Sequence, residues 1–188
     1  MSVNLNLRRS LVAAFAAALL LSCLPCRGQD AASGFCSGLY NSPKGFGLVA
    51  QFPSEEGFRS LRLYADIYGL PSGGCDRPGA VLGYSINRIL STVRKAECDI
   101  SFYMGPGVSA GYLKDFDLSH NQGAVLALSG SLGWIFAFRG SIYLDFSWTL
   151  EAGMHLRAAE DGGGLRLSLY KNGIYRSIIP QLCLIKRF

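Results

Sequence analysis

The sequence predicts an all-β protein: an antiparallel up-and-down barrel of about eight strands that crosses a membrane, preceded by a signal peptide. Three observations carry this expectation. Apolar and polar residues alternate with period two along most of the chain. Glycine is abundant, at 23 of 188 residues, while charged residues make up only 16%, against about 25% in a typical soluble domain. Beyond the first 28 residues there is no apolar run long enough for a spanning helix, which needs about 20 residues. Glycine weakens helix interiors, so the composition also argues against a helical bundle. A disordered chain would be more polar and more charged.

The first element is the export segment, residues 1–28. Arg8 and Arg9 form a positive start, and Leu11 to Leu21 is an apolar stretch of the length expected for a signal peptide. Small residues at Cys26 and Gly28 predict cleavage before Gln29. Leu20-Leu21-Ser22-Cys23 resembles a lipobox, which makes Cys23 the alternative lipidation site. The formal net charge of +5 owes three cations to this segment. Removing Arg8, Arg9 and Arg27 from 18 basic residues leaves 15 against 13 acidic ones, with no long basic run. Nucleic acid is therefore not an expected partner.

Residues 29–44 read as a polar leader with little pattern, and residues 45–188 as the barrel. Gly45 to Phe52 supplies the first expected strand. Ser60 to Tyr68 sets Leu61, Leu63, Ala65 and Ile67 against Arg62, Tyr64 and Asp66. Ala80 to Ser91 and Asp99 to Tyr112 follow. In the latter, Ile100, Phe102, Met104, Val108 and Ala110 oppose Tyr103, Gly105, Gly107, Ser109 and Gly111. Gly123 to Arg139 and Ser141 to Arg157 are the longest. The last places Ile142, Leu144, Phe146, Trp148 and Leu150 on one face and Tyr143, Asp145, Ser147, Thr149 and Glu151 on the other. Leu165 to Tyr170 and Ile178 to Phe188 complete eight strands. Stretches such as Pro71-Ser72-Gly73-Gly74, Arg139-Gly140 and Lys171-Asn172-Gly173 carry turn chemistry between them. Pro106, inside a strand, cannot donate to a ladder and predicts a bulge between Gly105 and Gly107.

Alternation leaves open which face is outside. Small residues and charges share one face, as suits the crowded lumen of an eight-stranded barrel. The other face is bulky and carries Tyr112, Trp134, Phe136, Phe138 and Trp148, as suits an outward apolar band with aromatic girdles. The expected lumen polar network is Arg62, Asp66, Asp145, Glu151, His155, Arg166 and Arg187. With Tyr64, Tyr68, Tyr103 and Tyr143 it would fill the interior and leave no pore.

The chain thus resembles the small outer-membrane β-barrel proteins of Gram-negative bacteria, the OmpA/OmpX-like superfamily. The resemblance lies in the signal peptide, the glycine-rich strand Tyr103 to Tyr112 and the C-terminal Lys186-Arg187-Phe188, and it covers roughly residues 45–188. It implies that Phe188 is the signal read by the barrel assembly machinery, and that outer-membrane lipids surround a monomeric barrel in the cell outer membrane. It implies nothing about activity, because the superfamily includes adhesins, enzymes and structural anchors. Family barrels have short periplasmic turns and longer outer loops. Strand one at residue 45 puts the shortest turn outside; the opposite parity needs a strand from Phe35 to Tyr40.

No enzyme is expected, and no cofactor or metal. HExxH, Walker and dinucleotide motifs are missing. Gly107-Val108-Ser109-Ala110-Gly111 fits GxSxG but lies in a strand rather than at a strand-to-helix turn. His120 sits in a polar loop. An alternative, a lipid-modifying outer-membrane enzyme, would join His155 to Glu151 or Asp145 and Ser147. A second alternative is an exported soluble barrel binding a hydrophobic ligand. Cys36, Cys75, Cys98 and Cys183 remain after cleavage and permit three pairings, none selected by spacing. Cys183, inside a strand, is expected to be a buried thiol.

Overall fold

The computed structural model describes residues 34–67, 78–115, 122–159 and 164–188. The signal peptide, Cys23, Cys75 and His120 lie outside the described residues. In chain order the elements are β1 (Cys36–Ser42), β2 (Gly45–Ser54), β3 (Gly57–Asp66), β4 (Gly79–Arg94), β5 (Cys98–Lys114), β6 (Gln122–Phe138), β7 (Ile142–Ala158) and β8 (Leu165–Leu169). A one-turn helix α1 (Lys171–Tyr175), a 3-10 turn (Arg176–Ile178) and β9 (Gln181–Arg187) follow.

All pairings are antiparallel. Each strand from β1 to β7 pairs with the next, β7 pairs with β9, and β9 returns to β1, closing an eight-stranded barrel. Pairing around the ring from Ile185 leads through Gly38, Val49, Arg62, Gly83, Ser109 and Ala127 to Gly153. Ile185 itself pairs with Tyr143, ten residues away on the same strand. That offset is the shear of the barrel. With eight strands about 4.8 Å apart and a rise of about 3.3 Å per residue, it sets a strand tilt of about 40°.

The barrel begins at Cys36, not at residue 45. Residues 36–42, expected as leader, form a wall strand because β2 and β9 both need a partner edge. The expected strands at 165–170 and 178–188 are in turn two halves of one wall strand. β8 covers β7 from Ala158 to Met154, and β9 covers it from Ser147 to Ile142. With β1 added and the last two strands merged, the count stays at eight. The strand that the opposite parity needs is present, as Cys36–Ser42. One end holds both Phe35 and Phe188, joined by a backbone hydrogen bond, and the tight turns after β2, β4 and β6. At the other end lie the β1–β2 turn and the connections after β3, β5 and β7.

Pro106 does not bulge its strand. The β5–β6 register runs unbroken through Gly105↔Ser131, Pro106↔Gly130 and Gly107↔Ser129. The β4–β5 irregularity falls between Ile89 and Ser91. Glycines beside Pro106 keep the strands close. A Cβ on Gly105 would lie 1.9 Å from the Ile86 carbonyl oxygen, so no larger residue fits that spacing.

The alternation read from the sequence sorts the side chains as expected. On β7, Asp145, Ser147, Thr149, Glu151 and His155 are buried, while Leu150, Met154 and Leu156 are exposed. The barrel is inverted relative to a soluble core. Its outer wall carries Leu48, Leu63, Ile86, Leu128 and Leu184, all exposed, and its interior holds Arg62, Asp145, Glu151 and Gln181.

Candidate functional site

The lumen is the only place where the chain concentrates polar chemistry among the described residues. Arg62, on the inward face of β3, donates to Thr149 Oγ1 at 2.9 Å and to Gln181 Oε1 at 3.5 Å. Gln181 begins β9 and joins the two halves of the barrel. Its carbonyl accepts from Tyr40 Oη at 2.7 Å, and its amide donates to Ser147 Oγ at 3.1 Å and to Thr149 Oγ1. Nearer the termini, Asp145 accepts from Tyr103 Oη at 2.8 Å and Gln51 Nε2 at 3.2 Å.

Nearer the loop end, Lys44 reaches from the β1–β2 turn to Glu151 Oε2 at 3.0 Å and to the Thr149 carbonyl at 2.8 Å. Both side chains of this ion pair are about 95% buried. Burial pushes the Lys44 ammonium below its ordinary pKa, and the Glu151 carboxylate works against that shift. Asp66 pairs with Arg176 at 2.9 Å.

Of the seven residues expected in the network, Arg62, Asp66, Asp145, Glu151 and His155 are buried. Arg187 is half-buried and donates to Tyr143 Oη at 3.3 Å. Arg166 is exposed on β8, because β8 lies above the closed part of the wall. Lys44, Gln51, Tyr40, Arg176 and Gln181 are members that pattern reading missed. Lys44 fell in the supposed leader and Arg176 in a connection, so no alternation marked them. A lysine beside a turn proline carries no sequence signal of burial.

The constellation required for the enzyme alternative is not assembled. His155 Nε2 lies 3.0 Å from the Leu113 carbonyl, Glu151 is held by Lys44, and Ser147 by Gln181. His155 and Ser147 are eight residues apart on one strand, about 26 Å at strand rise. Ser109 of the GxSxG match is buried inside β5. Among the described residues no group of three or more His, Cys, Asp or Glu could hold a metal. Cys36, Cys98 and Cys183 are free thiols, with Cys36 and Cys183 buried.

Between Arg62, Asn87, Tyr103, Asp145 and Gln181 remains a cavity of about 10 Å³, the space of about one water molecule. On the outer wall, Trp134 stacks near Phe102 and Trp148, with ring centroids 5.2 and 5.8 Å apart. Phe35 contacts Phe52 and Phe188 at 5.5 and 6.3 Å.

The fold and its packed polar interior define a small closed antiparallel β-barrel protein. Compared with family models, curated proteins and solved structures, the chain gives no match.

Proposed function

We propose that this chain is an integral outer-membrane β-barrel protein of a Gram-negative bacterium, similar to the OmpA/OmpX-like superfamily, with a structural or interaction role and no open pore. The observation that carries the reading is the inversion of the barrel. Large apolar side chains, Leu48, Leu63, Ile86, Leu128 and Leu184 among them, are exposed on its outside, where a soluble monomer rarely shows a large contiguous apolar patch, while an ion pair and amide network fill its inside. Water cannot favour that outer surface; hydrocarbon can. The aromatic contacts nearer the termini end fit an interfacial girdle. Short turns at the end that holds Phe35 and Phe188 fit a periplasmic side, which puts the longer connections outside the cell.

In this reading the signal peptide exports the chain, Phe188 is read by the barrel assembly machinery, and the monomer is bathed in outer-membrane lipids. The role is not enzymatic, in keeping with a His155 ring nitrogen set against a backbone carbonyl. The test is fractionation followed by SDS gel migration. The protein should stay in the carbonate-resistant outer-membrane fraction and migrate differently boiled and unboiled. Release by carbonate, solubility without detergent and identical migration would replace this reading with the exported soluble barrel.

A further inference from the structure

The interruption of the eighth wall strand has an unusual size and direction. Between the pairs Met154↔Leu169 and Ser147↔Gln181, six residues of β7 (148–153) face eleven residues of the other chain segment (170–180). The surplus is five residues. It is folded as α1 and the 3-10 turn, with Tyr170, Asn172 and Gly173 buried and Ile174, Tyr175, Ile178 and Ile179 exposed.

The segment touches three strands that are not neighbours in the ring. Tyr170 N–H donates to the Gly153 carbonyl of β7 at 2.9 Å. Asp115, just past β5, accepts from the Lys171 and Asn172 amides, each at 2.8 Å, and Asn172 Nδ2 donates to the Lys114 carbonyl at 3.1 Å. Arg176 reaches Asp66 at the end of β3. An element held by β3, β5 and β7 at once must span the mouth. Tyr170 is 2% exposed and belongs to the buried cluster inside the barrel that also holds Tyr64, Val81, Leu113 and Val125. Gly173 sits so close that a Cβ would lie 2.5 Å from the Glu151 carbonyl oxygen.

We infer that residues 170–180 are a plug built into the eighth wall strand, sealing the lumen at the loop end. The β8–β9 seam is the one place where the β7 ladder is given up to make room for it. The Tyr170–Gly153 hydrogen bond continues the β8 register by one residue, and beyond it the Thr149 carbonyl of β7 is met not by a neighbouring strand but by Lys44. The inference concerns the lumen and holds whatever bathes the outer wall.

The test is the access of a small charged methanethiosulfonate reagent to Val125→Cys in the full chain, with all six native cysteines replaced by serine. Val125 is buried next to the plug and cysteine is smaller, so the reporter fits. With the plug intact, labelling should be slow. Deleting residues 171–175, which removes the surplus, should raise the rate at least about tenfold while the β circular-dichroism spectrum is kept. Asp115→Ala, which strips the α1 amides of their acceptor, should raise it too and decides the matter if the deletion variant does not fold. Fast labelling of the intact protein would overturn the inference, as would an unchanged slow rate in the folded deletion variant or in Asp115→Ala.

Discussion

The buried Lys44–Glu151 pair gives the sharpest energetic test. Lys44→Met keeps most of the side-chain volume but leaves the Glu151 carboxylate, 4% exposed, without its cation. Breaking a buried pair on one side costs about 3–5 kcal/mol. The same change removes the donor from the Thr149 carbonyl, so the upper part of that range is expected. The double variant Lys44→Met/Glu151→Leu removes both charges and should be less destabilised than Lys44→Met alone, since an apolar pair of similar volume is often neutral. The control is Arg88–Glu56, also 3.0 Å long but with both side chains about 70% exposed. Arg88→Met should cost less than about 1 kcal/mol. The assay is urea unfolding of the refolded protein in detergent, followed by the fluorescence of Trp134 and Trp148. If Lys44→Met costs no more than Arg88→Met, or the double variant is worse than the single one, the pair is not sealed from water and the account of the lumen fails.

Two further outcomes follow from the wall. Gly38→Ala would place a Cβ 1.9 Å from the Leu184 carbonyl oxygen, whereas Gly130 has open space; the first should cost about 1–3 kcal/mol and the second should be neutral or slightly stabilising, by the same unfolding assay. Leu63→Arg, at a 53% exposed position on β3, should cost about 2–4 kcal/mol in lipid bilayers if the wall faces hydrocarbon near the midplane; a neutral result would point to an aqueous wall.

How much of this was legible in the sequence depends on whether a residue's role is local. Period-two alternation in Ile142–Ala158 sorts its side chains onto two faces, because side chains on a strand must point to opposite faces, and the residue types on each face then favour one of them as the lumen. That local rule groups Asp145, Glu151 and His155 on one face, and the structure buries all three. It cannot place Lys44, which reaches into the lumen from a turn, nor separate β8 from β9. Residues 165–170 and 178–188 each alternate well enough to read as strands. Their merger into one wall strand depends on β7, which both halves must share. The bulge expected at Pro106 failed for a related reason: proline removes a donor, but the register is the same on either side of it in both neighbouring ladders.

By itself, then, the sequence determined a β protein with sorted faces and about eight wall strands, because those follow from residue spacing and backbone geometry alone. The tertiary structure decided where the ring closes, that it starts at Cys36, and which charges meet inside it. It also decided that the surplus residues fold as a helical turn against the loop end, with Asn172 and Gly173 buried. Those outcomes join residues over a hundred positions apart, such as Lys44 with Thr149 and Asp66 with Arg176. Only closing a sheared barrel brings such residues within hydrogen-bonding distance.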